Sequence, residues 1–188
     1  MAQRFPELTD ELIEFIHQQK LFFVSTASTG HINLSPKGMD SLRVLDASTV
    51  AWLNVTGSGN ETAAHVLEDG RMTIMFCAFE GRPVVLRLYG KARVYHPRDT
   101  EWQGYAERLP MLPGARQIFV LDIEFAQTTC GLGVPFYEYK GERGKLIDWA
   151  IGKGPEGLQE YWGRKNRVSL DGNPTGIFDE PAEGLAQE

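Results

Sequence analysis

Thr56-Gly57-Ser58-Gly59-Asn60-Glu61-Thr62-Ala63-Ala64-His65 joins two strand-like runs, Thr49–Val55 and Met72–Phe79. It reads as a tight turn feeding a short helix over Glu61–Leu67, with Asn60 in the N-cap position that favours Asn. Two glycines let the backbone come close to a ligand, because no Cβ stands in the way. Ser58, Asn60 and Thr62 add short polar side chains. Such a turn offers unpaired N–H groups and the positive end of the helix dipole, a combination that suits a phosphate. The same pattern also fits a capped surface helix with no ligand, and this segment alone does not separate the two. It is not a Walker loop, since no Gly-Lys-Ser/Thr follows.

Outward from this unit, strands dominate. Leu21–Thr26 and Ile32–Ser35 flank Ser28-Thr29-Gly30, a hairpin signal. Asp46-Ala47-Ser48 turns the chain into Thr49–Val55, and Asp69-Gly70 turns it into Met72–Phe79. Glu80-Gly81-Arg82-Pro83 reverses it into Val84–Tyr95, rich in Val, Leu and Tyr. Gln117–Phe125 alternates imperfectly, as a strand with a bulge does. Helices are expected over Asp10–Gln19, where Thr9 caps and Leu8 and Ile13 form a staple, and over Pro97–Glu107. Leu146–Ile151 and Pro155–Lys165 are further helices, separated by Gly152-Lys153-Gly154. Six short strands at hairpin spacing, with short helices inserted, predict a mostly β, six-stranded antiparallel split barrel. One domain over 1–172 and an extended tail over 173–188 complete the expected organisation.

The 188 residues suffice for one domain with a full core. A net charge of -6 argues against nucleic-acid binding, which needs a basic surface. No run approaches the ~18 apolar residues of a membrane span, and residues 1–20 lack a continuous apolar stretch. A reduced, cytoplasmic protein is the expectation. Of its two cysteines, Cys77 lies in an apolar run and reads as a buried small hydrophobe.

His17, His31, His65 and His96 form no metal-spaced pair, so no metal site is expected. No Gly-x-Ser-x-Gly elbow is present, and no Ser, His and acid stand out as a triad. Chemistry carried by a bound organic cofactor fits this lack of a protein nucleophile. Ile32-Asn33-Leu34-Ser35-Pro36-Lys37-Gly38 ends an early strand with a polar cluster and one cation. Pro36 is expected to break the ladder there. Lys37 suits a phosphate or the electron-rich edge of a flavin, or it is a solvated turn lysine.

Taken in order, several blocks resemble the FMN-binding split barrel of the pyridoxamine 5'-phosphate oxidase family. They are Phe22–Ala27, Asn33–Gly38, Gly57–Thr62, Gly70–Phe76 and Arg87–Gly90, followed by Cys130–Pro135 and Arg164-Lys165-Asn166. The resemblance spans about residues 20–170. It implies FMN as cofactor, a homodimer with FMN at the interface, and a nicotinamide reductant or other small molecule as substrate. It further implies cofactor contacts from Asn33, Ser35, Pro36 and Lys37 on one strand, from Ser58, Asn60, Glu61 and Thr62 at the turn, and from Arg87. The family's basic phosphate ligands are replaced here by Asn60-Glu61-Thr62. Glu61 is therefore expected to point away, with Arg71 or Arg87 restoring the lost charge. The family's C-terminal Arg-x-His substrate grip has no counterpart after Trp162, so pyridoxamine phosphate oxidation itself is not expected. A non-catalytic flavin- or haem-binding storage or sensor module is the alternative.

Overall fold

The computed structural model describes residues 2–178. The chain runs β1 (Gln3–Phe5), α1 (Asp10–Gln18), β2 (Phe22–Thr26), β3 (Asn33–Lys37), β4 (Leu42–Asp46) and β5 (Thr49–Val55). It continues through α2 (Glu61–Glu68), β6 (Arg71–Cys77), β7 (Val84–Tyr95), α3 (Trp102–Ala106), β8 (Ala115–Cys130) and α4 (Lys145–Lys165). Neighbouring strands follow the order β3-β2-β6-β7-β8-β5-β4, with β1 added to the far end of β8. Every ladder is antiparallel.

The sheet therefore has eight strands among the described residues, where six were expected. The two additional strands are β1 and β4. β1 is three residues long, and β4 is an edge strand that carries Arg43 among Leu42, Val44 and Leu45. A charge on an edge strand blunts pairing with other chains and also hides the strand from pattern reading.

β5 and β8 explain why alternation is blurred in their sequences. Val50, Trp52, Phe119 and Leu121 face one core, which α1 and α2 cover with Leu12, Ile16, Ala63 and Val66. Ala51, Leu53, Ile118 and Val120 face a second core under Trp102, Ala106 and Leu109. Strands buried on both faces read as continuous apolar runs. Trp52 and Phe119 stack with ring centroids 4.6 Å apart and lock the β5–β8 pair from within.

The bulge expected in the last strand is present. Register shifts opposite Asn54/Val55 and again opposite Tyr89/Gly90. Pro36 does not break the ladder as expected: it pairs with Phe23 inside β3, which is tolerated because β3 is an edge strand. The expected pair of C-terminal helices is present: α4 is two helices joined across a kink at Gly154 (φ 64°, ψ 174°), just before Pro155.

The 172/173 boundary falls inside packed structure. Thr175 is fully buried and donates to the carbonyl of Asn166, and Ile177 is buried as well. Residues 179–188 of the expected tail lie outside the described residues. Among the described residues, no helix is long and apolar enough to cross a membrane.

Candidate functional site

The turn over 56–60 is fixed from behind by buried donors. Asn166 Nδ2 donates to the carbonyls of Gly57 and Ser58 at 3.0 and 3.3 Å. Arg116 donates to the carbonyl of Gly59 at 3.1 Å and to that of Gly57 at 3.5 Å. The root of the turn is tied by Thr56, whose N–H and hydroxyl both donate to the Gly114 carbonyl at 2.8 Å. Gly114 has φ 81°, a left-handed conformation that favours glycine. Trp162 from α4 closes the tie by donating to the Thr56 hydroxyl at 2.8 Å.

Three successive carbonyls are thus turned toward the protein. Peptide planarity makes their N–H partners point the other way. The N–H groups of Ser58, Gly59, Asn60, Glu61 and Thr62 find no acceptor among the described residues. They gather at the N-terminus of α2, where the helix dipole adds positive potential. Asn60 holds the N-cap position without a side-chain cap; its Nδ2 instead donates to the Asn166 carbonyl at 3.3 Å. The expected capping role is therefore replaced by a tie between the turn and the end of α4.

Opposite the turn stands β3. Side chains on a strand alternate, so Asn33, Ser35 and Lys37 share one face while Leu34 and Pro36 take the other. These three, with Asn54, Asn60, Glu61, Thr62 and Arg116, line a cleft of about 190 Å³. Thr62 accepts from Asn33 Nδ2 at 2.9 Å, and Ser35 accepts from Lys37 Nζ at 2.9 Å. Both hydroxyl protons remain free for a ligand. Asn54 Nδ2 is taken by the buried Gln117 at 3.2 Å, which leaves its amide oxygen for the cleft. Gln117 is oriented in turn by His96 at 3.1 Å. Burial first, and then the Arg98 charge, push the His96 pKa down to about 4, so its ring is neutral at pH 7.

Two cations govern the electrostatics. Burial, reinforced by the charge of Arg116 and opposed by Glu61, lowers the Lys37 pKa to about 8. Burial pushes Arg116 down to about 10, with Glu61 and Tyr161 opposing. Both remain mainly charged at pH 7. Arg116 Nε is buried with no partner, an expensive state for a charged group.

The structure thus brings together Asn33, Ser35, Lys37, Asn60, Glu61 and Thr62. Pro36 points from the opposite face of β3, and Ser58 is not part of the cleft lining. Arg87 stands apart, on β7, donating to Thr129 Oγ1 at 3.2 Å. Arg71 pairs with Asp69 on the surface. Neither supplies the cleft with charge; Arg116 does.

Glu61 also departs from expectation. Its carboxylate folds back against Gly59, where a Cβ would collide with it, and lies within Coulombic reach of Lys37 and Arg116. It faces the cleft. Sequence reading missed Arg116, Asn54 and the side-chain role of Asn166. The signal that could have found Arg116 is the polar pair Arg116-Gln117, normally exposed residue types, at the head of an apolar strand.

A larger groove of about 1060 Å³ is lined in part by Phe23, Phe79 and Tyr137, and it contains none of these convergent polar groups.

The model of the family described as pyridoxamine 5'-phosphate oxidase matches residues 8–130. The chain is 38% identical, over 191 aligned residues, to the pyridoxamine 5'-phosphate oxidase family protein ustO of Aspergillus flavus, covering 90% of this chain and 76% of that relative. Among solved structures it is similar to HupZ of Group A Streptococcus, with a TM-score of 0.50 and 21% identity over 63% of this chain and 91% of that one. A Lactobacillus delbrueckii protein provisionally assigned as a pyridoxamine 5'-phosphate oxidase gives a TM-score of 0.51 and 20% identity, over 65% and 94% of the two chains. At such identities the solved structures speak to the fold alone. Sequence and fold together show that the chain belongs to the pyridoxamine 5'-phosphate oxidase family.

Proposed function

We propose that this protein is an FMN-dependent oxidoreductase whose cleft between β3 and the 56–62 turn holds the cofactor's phosphate. The observation that carries this reading is the inward turn of the Gly57, Ser58 and Gly59 carbonyls, which leaves a row of unpaired N–H groups beside Lys37 and Arg116. Such a nest of amides with two cations is an anion site by construction. Arg116 takes the place of the basic phosphate ligands that the turn itself lacks.

Lys37 shares the cleft with Arg116 and the amides, which supports a role at the phosphate rather than at the flavin ring. Ser35 and Thr62 offer hydroxyl donors, and Asn54 offers an acceptor for a ribityl hydroxyl. FMN, when bound, supplies two-electron redox chemistry, with a reduced nicotinamide or a small organic molecule as partner. This chain's residues bind and orient the cofactor.

A cleft of about 190 Å³ is small beside the ~300–1,000 Å³ of sites that enclose a drug-sized ligand. It takes the phosphate end, and the ring extends past it. That supports a homodimer in which a second copy completes the site. Titration of apo-protein with FMN and riboflavin near pH 6 tests the reading. FMN is expected to bind at least tenfold more tightly, and equal affinities would overturn the phosphate assignment.

A further inference from the structure

We infer that Glu61 is the specificity-determining residue of this cleft, setting it to receive a phosphate that carries one negative charge rather than two. The inference rests on the phosphate reading above and deepens it. Glu61 occupies the first position of α2, one residue after the N-cap, where its carboxylate could have pointed to solvent. Instead it lies against Gly59, which has no side chain to exclude it.

The charged groups around it are Lys37 from β3 and Arg116 from β8, and Tyr161 from α4 faces Arg116. Glu61 makes no ion pair within 4.0 Å among the described residues. Its carboxylate acts through the field, offsetting part of the charge of both cations. With Lys37 and Arg116 protonated, the cleft carries two positive charges and one negative. A singly charged phosphate neutralises that sum. A doubly charged one meets the carboxylate as an uncompensated like charge at close range, in a setting where such repulsion is poorly screened.

Arg116 is the independent sign that an anion belongs here. It is buried, lines the cleft and keeps an unpartnered Nε. A cation fixed at that depth, beside unpaired amides, calls for an anion, and Glu61 limits how much charge that anion brings.

The test uses full-length apo-protein and Glu61→Gln, with three probes: riboflavin, FMN, and the methyl ester of FMN, whose phosphodiester stays singly charged. The second ionisation of a phosphate monoester falls near pH 6, so between pH 5.5 and 7 most FMN gains its second charge. Lys37 stays mostly protonated in this window. In the wild type, FMN affinity is expected to fall about tenfold across the window while the methyl ester holds steady. In Glu61→Gln, FMN binding at pH 7 is expected to tighten at least tenfold and its pH dependence to flatten or reverse. Thermal unfolding of both apo-proteins checks that the isosteric change leaves the fold intact. If FMN is preferred over riboflavin but Glu61→Gln alters neither affinity nor pH profile, this inference alone is overturned. If riboflavin and FMN bind alike in both proteins, the phosphate reading falls and takes this inference with it.

Discussion

Two polar, glycine-bearing turns flank α2, and they are held by opposite means. At its N-terminus, the 56–60 turn is pinned by buried groups: Arg116, Asn166 and Thr56. Toward its C-terminal end, the β2–β3 hairpin is pinned by surface carboxylates, with Glu68 accepting from Thr29 at 2.7 Å and Asp171 meeting His31 Nδ1 at 2.5 Å. Hydrogen bonds are plentiful at both. Burial is what differs: a lost partner at the first turn leaves a carbonyl with no water to turn to, while one lost at the second is replaced by solvent. On the proposed reading, a turn held that rigidly, with its N–H groups left open, is organised around a ligand. The hairpin is organised around its own shape.

The largest effects are therefore expected at the buried turn. Arg116→Met removes the clamp on Gly57 and Gly59 together with one of the two cations. FMN affinity is expected to fall at least a hundredfold in fluorescence titration. Denaturant unfolding should show a loss of about 2–3 kcal/mol, from carbonyls left unpaired. Asn166→Ala frees the Gly57 and Ser58 carbonyls while leaving both cations in place. Its stability loss is expected to be similar, with a smaller drop in FMN affinity. An affinity unchanged in Arg116→Met would dissolve the contrast between the turns.

Lys37→Met comes next. Burial lowers the Lys37 pKa to about 8, which means its charged form is disfavoured in the folded state. That disfavour is fully present well below pH 8 and disappears as pH rises past the unfolded lysine value, so removing the charge leaves apo-stability at neutral pH unchanged or improved. FMN affinity is expected to drop roughly 10- to 100-fold. In the wild type it should also weaken as pH rises through about 8, where Lys37 loses its proton, and this upper limb should vanish in Lys37→Met. A smaller change is expected from Thr62→Val, which keeps the shape but deletes one hydroxyl. FMN affinity should fall by about 1 kcal/mol, with the apo-fold retained.

The smallest effect belongs to the hairpin. The Asp171 side chain raises the His31 pKa above its ordinary value, and His31 lowers that of Asp171. The pair contributes between those two values: it fades as His31 deprotonates on raising the pH, and as Asp171 is protonated on lowering it. Being exposed, it is well screened. Asp171→Asn is expected to return His31 to its ordinary titration, followed by NMR of the ring protons, with no measurable change in FMN binding. Weakened FMN binding in that variant would show that both turns serve the ligand.

The same distinction governs what could be read from the chain. Runs such as Thr49–Val55 and Val84–Tyr95 declared themselves by composition, because strand pattern is local, and their observed limits match. On β3, Asn33, Ser35 and Lys37 were carried over by resemblance together with Pro36; because the strand was expected to end at Ser35, the alternation that puts Pro36 on the other face was not read. Arg116 was not legible: it reaches the turn through the β5–β8 pairing, in which Asn54 stands opposite Gln117, 63 positions along the chain. Asn166 belonged to a recognised block, yet its role depends on how α4 folds back onto Thr56. Arg87 was carried over by resemblance. Its side chain lies on the sheet face shared with Thr129, away from the cleft. Polar partners across long separations are products of register and packing, which local spacing does not encode.

The most direct test of the central claim is a backbone 15N–1H NMR titration of the apo-protein with FMN and, separately, riboflavin. The N–H signals of Ser58 to Thr62 are expected to move to lower field with FMN, saturating at one equivalent per chain, and to stay near their free positions with riboflavin. Those of residues 28–31 should stay still with both. If the 58–62 signals respond equally to FMN and riboflavin, or to neither, the turn is a rigid structural element and not the cradle of a phosphate.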